Sequence, residues 1–168
     1  MHELFSFPDP VNEKAARVVA GVVLVTSLVI LATGWYWLLI PLAYGFWARL
    51  LTGPTLSPLG RVAQQVVAPR LGASKPVPGP PKRFAQGMGA AMSTAALILA
   101  LVIGTHTAAD IILAGIVIAA GLESIFAVCL GCQVYAQLER IGVVPDCESC
   151  ADLSGRFAVS LGPEPGRR

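Results

Sequence analysis

The chain has 168 residues, of which 55% are hydrophobic and only 13% charged, and its net charge is +2 at pH 7. Soluble domains carry about 25% charged residues, so this composition excludes an ordinary soluble domain. Its long apolar runs do not alternate with polar residues, which excludes a closed barrel and leaves an all-α integral membrane protein in contact with the lipid bilayer. Nothing in the charge pattern points to nucleic acid, which is not expected as a partner.

Residues 1–10 hold Phe5, Phe7, Pro8 and Pro10 and read as an extended lead-in at the membrane surface. With no basic n-region or small-residue cleavage site before the first apolar run, no secretory signal is read. Asn12 then has the character of a helix N-cap, and Glu13 favours the positive end of the helix dipole. Residues 18–48 contain no charge. A single helix of that length would extend about 46 Å at roughly 1.5 Å per residue, whereas the hydrocarbon core is about 30 Å thick. Gly34 sits at the midpoint, followed by Trp35, Tyr36 and Trp37. Glycine ends a helix, and Trp and Tyr prefer the interface. Two spans are therefore expected, at about 14–33 and 35–51, the second kinked at Pro41.

Residues 49–83 form a long loop. Ser57-Pro58 has the pattern of an N-cap followed by proline at the first helical position, and Leu59, Val62, Val66 and Val67 recur at helical spacing. A short amphipathic helix follows from this, either lying in the interface or packed on the mouth of the bundle. Residues 75–82, Lys-Pro-Val-Pro-Gly-Pro-Pro-Lys, are expected to be extended and polyproline-like. A third span is placed at about 84–103. Its Gly87-Met-Gly-Ala-Ala91 segment sets small residues at i and i+4, a face for close helix approach. A fourth helix runs over about 108–139 with its span at about 108–130. His106 and Asp110 at its start read as a solvated histidine and a capping aspartate rather than a metal or proton site. The whole is a four-helix transmembrane bundle over residues 1–140, with a short interfacial helix in its cytoplasmic loop and a cytoplasmic cysteine-containing tail over 141–168.

All twelve Lys and Arg fall on one side of this arrangement: two before the first helix, six within 49–83 and four after the fourth helix. The positive-inside rule makes that side cytoplasmic. The expected location is the cell's inner membrane, multi-pass, with both termini in the cytoplasm, where thiols are normally reduced.

The chemistry-bearing residues are concentrated at the end of the fourth helix. The four cysteines of the chain are Cys129-Leu-Gly-Cys132 and Cys147-Glu-Ser-Cys150. Two such pairs support two readings. In the first, Cys129 and Cys132 lie on one side of a helix and exchange with a cytoplasmic thioredoxin-like protein or a sulfurtransferase, directly or through Cys147 and Cys150 as a shuttle. In the second, which is non-enzymatic, all four thiolates hold a structural zinc and the chain serves as a membrane scaffold. The intramembrane carboxylate Glu123 is the other candidate. On a continuous helix, nine residues rotate it away from Cys132, so the expected role is a protonated group bonding Ser124, Thr94 or another helix. Transport through Glu123 would require an oligomer. No phosphate loop, catalytic triad or metalloprotease helix is present.

The chain resembles the bacterial family known as domain of unknown function 4395 over about residues 9–138. The matching stretches are Asn12-Glu-Lys-Ala-Ala-Arg17, Ser57-Pro-Leu-Gly60, Ala68-Pro-Arg-Leu-Gly72, Pro81-Lys-Arg-Phe-Ala-Gln-Gly87, and Cys129-Leu-Gly-Cys132 with Tyr135. The resemblance implies a small multi-span membrane protein with a CxxC and assigns no reaction. Cys147 and Cys150 lie outside it. The architecture is also similar to that of membrane thiol oxidoreductases related to vitamin K epoxide reductase, four-helix bundles with two cysteine pairs.

Overall fold

The computed structural model describes residues 11–53, 57–67, 70, 76–77 and 79–142. The lead-in at 1–10 and the tail with Cys147 and Cys150 lie outside the described residues. Within them are six α-helices: α1 (Glu13–Thr33), α2 (Leu39–Thr52), α3 (Pro58–Val62), α4 (Gly79–Leu97), α5 (His106–Phe126) and α6 (Leu130–Arg140). A π-helical turn, Ala63–Val67, extends α3, and another, Ile98–Ile103, extends α4. One short antiparallel pair, β1 (Val11–Asn12) with β2 (Pro76–Val77), joins the chain ahead of α1 to the chain ahead of α4. Among the described residues three helical segments are long and apolar enough to cross a membrane: 13–33, 79–103 and 106–126. The chain is a membrane protein.

Local chemistry sets the helix ends. Asn12 caps α1, its side chain accepting from the Lys14 N–H at 3.0 Å. Gly34 ends α1 in the left-handed conformation, φ 69°, and its N–H donates to the Ile30 carbonyl. The chain then takes a 3₁₀ turn, Tyr36–Leu38, before α2, and Trp35 and Trp37 are exposed there. Pro41 is the third residue of α2. In the first turn its missing N–H would have no intrahelical partner, so it starts the helix instead of kinking it. Ser57 caps α3, accepting from the Gly60 N–H at 3.2 Å. Ala63 is buried against Ala15 and Val19, so this segment packs on the first turns of α1.

The expected third span begins five residues early. The Pro-rich stretch was expected to be extended through Lys82, but α4 starts at Gly79. Proline fits a helix's first turn, where its fixed φ is already helical and no hydrogen bond is lost. Lys82 is therefore a helical residue inside the bundle.

α1 packs along α5 and α2 along α4, and α4 joins the two layers by packing on α5. The core between them includes Val23, Ile30, Leu39, Phe46, Ala90, Ala96, Leu113 and Ile116. Close approach within the small-residue segment of α4 is at its middle glycine, Gly89, and not at the expected Gly87 and Ala91 positions, of which Ala91 is exposed. A Cβ on Gly89 would stand 2.2 Å from Phe46 Cε1. Trp47 fastens the same helix pair, its Nε1–H donating to Thr94 Oγ1 at 3.0 Å. Gly89→Ala should destabilise the protein by about 1–3 kcal/mol in detergent, read as a lowered thermal midpoint. Phe46→Leu in the same chain should restore most of the loss. A neutral Gly89→Ala, or a loss that the second substitution does not relieve, would mean that the helices are not held at this spacing.

Candidate functional site

One end of the bundle carries an unusual density of buried polar groups. Lys82 of α4 makes an ion pair with Glu123 of α5, and both side chains are largely buried. Glu123 was expected to bond Ser124, Thr94 or another helix. The partner is on another helix, and it is a charged one. Thr94 instead accepts from Trp47, and the Ser124 hydroxyl donates to the Gly121 carbonyl. Arg49 of α2 is 6% exposed. Its Nε donates to Gln86 Oε1 at 2.9 Å, and its guanidinium carbon lies 4.9 Å over the Phe46 ring. Gln86 follows Lys82 by one helical turn and so shares its face of α4.

The expected continuous fourth helix is broken. α5 ends at Phe126, and Ala127 adopts φ 58°, the left-handed conformation rare for a residue with a Cβ. The N–H groups of Ala127 and Val128 both turn back to the Leu122 carbonyl. The carbonyls freed by the break are taken by Arg17 of α1. Its Nε and Nη2 donate to Ser124 O at 3.1 and 3.0 Å, and Nη2 also donates to Ile125 O at 3.1 Å. A cation at a helix C-terminus also complements the dipole.

The break corrects the placement of the cysteines. Cys129 and Cys132 do not lie on one stripe of a long helix. Cys129 is the N-cap of α6, in extended conformation, and its Sγ accepts from the Cys132 N–H at 3.3 Å. Because 127–129 is not helical, the rotation argument that separated Glu123 from the thiols does not apply. The new helix turns back onto α4. A Cβ on Gly131 would stand 2.5 Å from the Ala85 Cβ and 2.6 Å from its Cα, so the glycine of the Cys-Leu-Gly-Cys motif permits backbone contact. Tyr135, one turn on, meets Phe84 edge to face at a centroid distance of 5.7 Å. Ala85 and Phe84 adjoin Lys82, so this docking brings the thiols beside the ion pair, and the charges of Lys82 and Glu123 act on both.

The two thiols are unequal. Hydrogen bonding from the Cys132 thiol, then the Lys82 charge and the Cys132 N–H, hold Cys129 below the ordinary thiol range against burial and the Glu123 carboxylate. The same thiol–thiol bond, burial and the charge on Cys129 push Cys132 well above it. Both are free thiols and half-buried. Among the described residues no three His, Cys, Asp or Glu side chains group closely enough to hold a metal ion. The other two members of the expected zinc set, Cys147 and Cys150, lie outside the described residues.

His106 and Asp110 stand at the opposite end. The His106 ring stacks on Tyr36 at 4.6 Å, and the Tyr36 hydroxyl donates to Asp110 Oδ1 at 3.0 Å. The aspartate was expected as a cap, but Thr105 holds the N-cap position and Asp110 instead ties the two turns together.

Residues 11–140 match the family described as domain of unknown function (DUF4395). The chain belongs to that family. No curated protein and no solved structure matches it.

Arg17, Arg49 and Lys82 were missed as site residues because all three were counted only as interfacial charges. A signal was present for Lys82: two prolines directly before it suit a helix start. Gly131→Ala should push α6 off α4, with a stability loss of about 1–3 kcal/mol, and Ala85→Gly should recover little of it, because the Ala85 Cα would still stand 2.6 Å from the new Cβ. The paired thermal midpoints check this. A Gly131→Ala protein as stable as wild type would mean that α6 does not dock at Ala85.

Proposed function

We propose that this is a four-span protein of the cell's inner membrane with both termini cytoplasmic, and that it carries out thiol redox or sulfur transfer at the cytoplasmic face. Cys129 is the nucleophile, Cys132 the resolving thiol, and Cys147 with Cys150 the shuttle pair. The fourth span is the shorter segment 36–52, and α3 lies at the interface. The observation that carries the reading is the setting of Cys129. It occupies a helix N-cap, accepts an N–H from the other cysteine of its CxxC, and sits beside a lysine. Helix N-termini, cationic neighbours and CxxC geometry each favour thiolate.

The exchange follows from this asymmetry. The Cys129 thiolate attacks one sulfur of a disulfide on a thioredoxin-like partner, forming a mixed disulfide and releasing one partner thiolate. Cys132, after losing its proton, attacks the Cys129 Sγ. A Cys129–Cys132 disulfide forms, and the second partner thiolate leaves. The partner is reduced by two electrons, and the membrane pair is oxidised by two. With a sulfurtransferase persulfide, Cys129 attacks the outer sulfur instead and displaces the donor's thiolate.

Limited alkylation at pH 7, read by peptide mapping, should modify Cys129 about tenfold faster than Cys132, since the thiolate is the reacting form and it is favoured at Cys129 and disfavoured at Cys132. Because a lowered pKa is crossed as pH rises, the Cys129 rate should reach its plateau at lower pH than that of a free thiol. Replacing the ion pair by Lys82→Met with Glu123→Gln should slow Cys129 by removing the cation. Equal rates, or a faster Cys132, would refute the assignment. The orientation has its own check: a membrane-impermeant maleimide should label Cys129 only after the inner membrane is opened. Labelling in intact spheroplasts would invert the topology.

A further inference from the structure

The small residues of α4 are not all used in helix packing. Gly89 receives Phe46, but Gly87 and Ala91 line a groove of about 520 Å³. That volume falls within the range of ligand sites, about 300–1,000 Å³. Leu50 of α2 forms part of its wall, and so does Phe84, whose ring meets Tyr135 of α6. Pro80, Arg83 and Ala91 are exposed along it. The lining is apolar except for Arg83, whose guanidinium makes no ion pair or hydrogen bond among the described residues. From Pro80 to Ala91 the groove follows α4 for about 16 Å, at roughly 1.5 Å per residue. One leaflet of hydrocarbon is about 15 Å deep, half of the core's roughly 30 Å. Ala91 lies at the middle of the 79–103 span. The groove therefore starts at the arginine-bearing end of the span and stops near the bilayer midplane.

We infer that this groove binds an anionic phospholipid, with one acyl chain lying over Gly87 and Ala91 and the headgroup phosphate meeting Arg83. The groove has the length of one leaflet, an apolar lining and a single cation at its outer end. Guanidinium matches phosphate through its fixed fork of donors, and basic pockets between transmembrane helices take anionic headgroups. A second copy of the chain fits the groove less well. Copies inserted in one membrane share an orientation, so a closed pair has its two-fold axis along the membrane normal. Groove would then meet groove at equal depth, and the two Arg83 side chains would face each other. Like charges set against each other suppress such a contact. A lipid phosphate removes that conflict and supplies the opposite charge. The inference does not depend on the thiol chemistry. The orientation proposed above serves only to name the leaflet, which is the cytoplasmic one.

The test uses the full-length protein with Trp35→Phe and Trp37→Phe, which leaves Trp47 as the remaining tryptophan. Trp47 bonds Thr94, which follows Ala91 on α4 within one turn, so its fluorescence reports on the inner end of the groove. The protein is reconstituted in phosphatidylcholine vesicles. Quenching is read against the mole fraction of phosphatidylglycerol brominated on its acyl chains, with brominated phosphatidylcholine as the reference. Half-quenching should need about fivefold less phosphatidylglycerol, the preference that one arginine gives at an anionic surface. Arg83→Gln should remove the preference, and Arg83→Lys should keep most of it. Gly87→Leu, with Ala91→Leu as a second blocking variant, should remove it although Arg83 remains, with thermal midpoints near that of the parent protein. Arg61→Gln, at an exposed arginine outside the groove, should leave it unchanged. Equal quenching by the two lipids overturns the inference. So does a preference that Arg83→Gln removes and both blocking variants retain, since surface charge alone would then account for it. Disulfide crosslinking of Ala91→Cys copies, without a lipid preference, would give the groove to a second copy and overturn it as well. Both leaflets of the vesicles have one composition, so reversed insertion does not change the readout. Cys129 alkylation judges the thiol function separately.

Discussion

The Lys82–Glu123 ion pair is the constraint around which this end of the bundle is built. In an apolar medium neither charge is tolerable alone, and removing one partner of a buried pair typically costs about 3–5 kcal/mol. The two side chains must therefore face each other, which fixes the rotation of α4 against α5. Ridge-and-groove packing of apolar side chains alone would leave that rotation weakly specified, since Leu, Ile and Ala surfaces of different helix faces resemble one another. Once it is set, Gln86 faces Arg49 of α2, and Ala85 becomes the platform for Gly131 of α6. A single electrostatic requirement thus aligns three other helices on α4.

A second requirement follows from where α5 stops. A helix that ends at the membrane edge leaves its last carbonyls without donors, and these groups need partners wherever water is scarce. Arg17 supplies three charge-assisted bonds to Ser124 and Ile125. They offset the cost of Ala127 in the left-handed conformation, about 1–2 kcal/mol for a residue with a Cβ. The break is what makes Cys129 an N-cap. On a continuous helix its sulfur would meet no free N–H, because every backbone donor would already be used. Backbone strain at Ala127 is thus coupled to the chemistry of the residue two positions on, the kind of place where strain is retained.

The two ends of the bundle differ in kind. At one, Tyr36, His106 and Asp110 join neighbouring turns by stacking and one hydrogen bond, with Trp35 and Trp37 exposed beside them. At the other, cations, a carboxylate and thiols are gathered under a docked helix. The first arrangement suits an interface with lipid headgroups. The second keeps ionisable groups partly out of water and holds the two thiols half-buried beside them.

The sequence by itself determined the helical membrane class, the turn at Gly34, the caps at Asn12 and Ser57, the close-packing segment around Gly89, and the residue range that holds Cys129, Cys132 and Glu123. Each of these is a local property: a run of apolar side chains, a glycine free to turn left-handed, or a short polar side chain able to bond its own backbone. What only the tertiary structure decided is how the site is assembled. No glycine or proline marks Phe126-Ala127-Val128, so the end of α5 was invisible locally. It exists because Arg17, more than a hundred residues earlier in the chain, supplies the donors. Lys82 belongs to the site because α4 carries it to Glu123, and Gly131 matters because of Ala85 on another helix. These are pairings across the chain, and a pattern read along one segment cannot contain the partner that satisfies it.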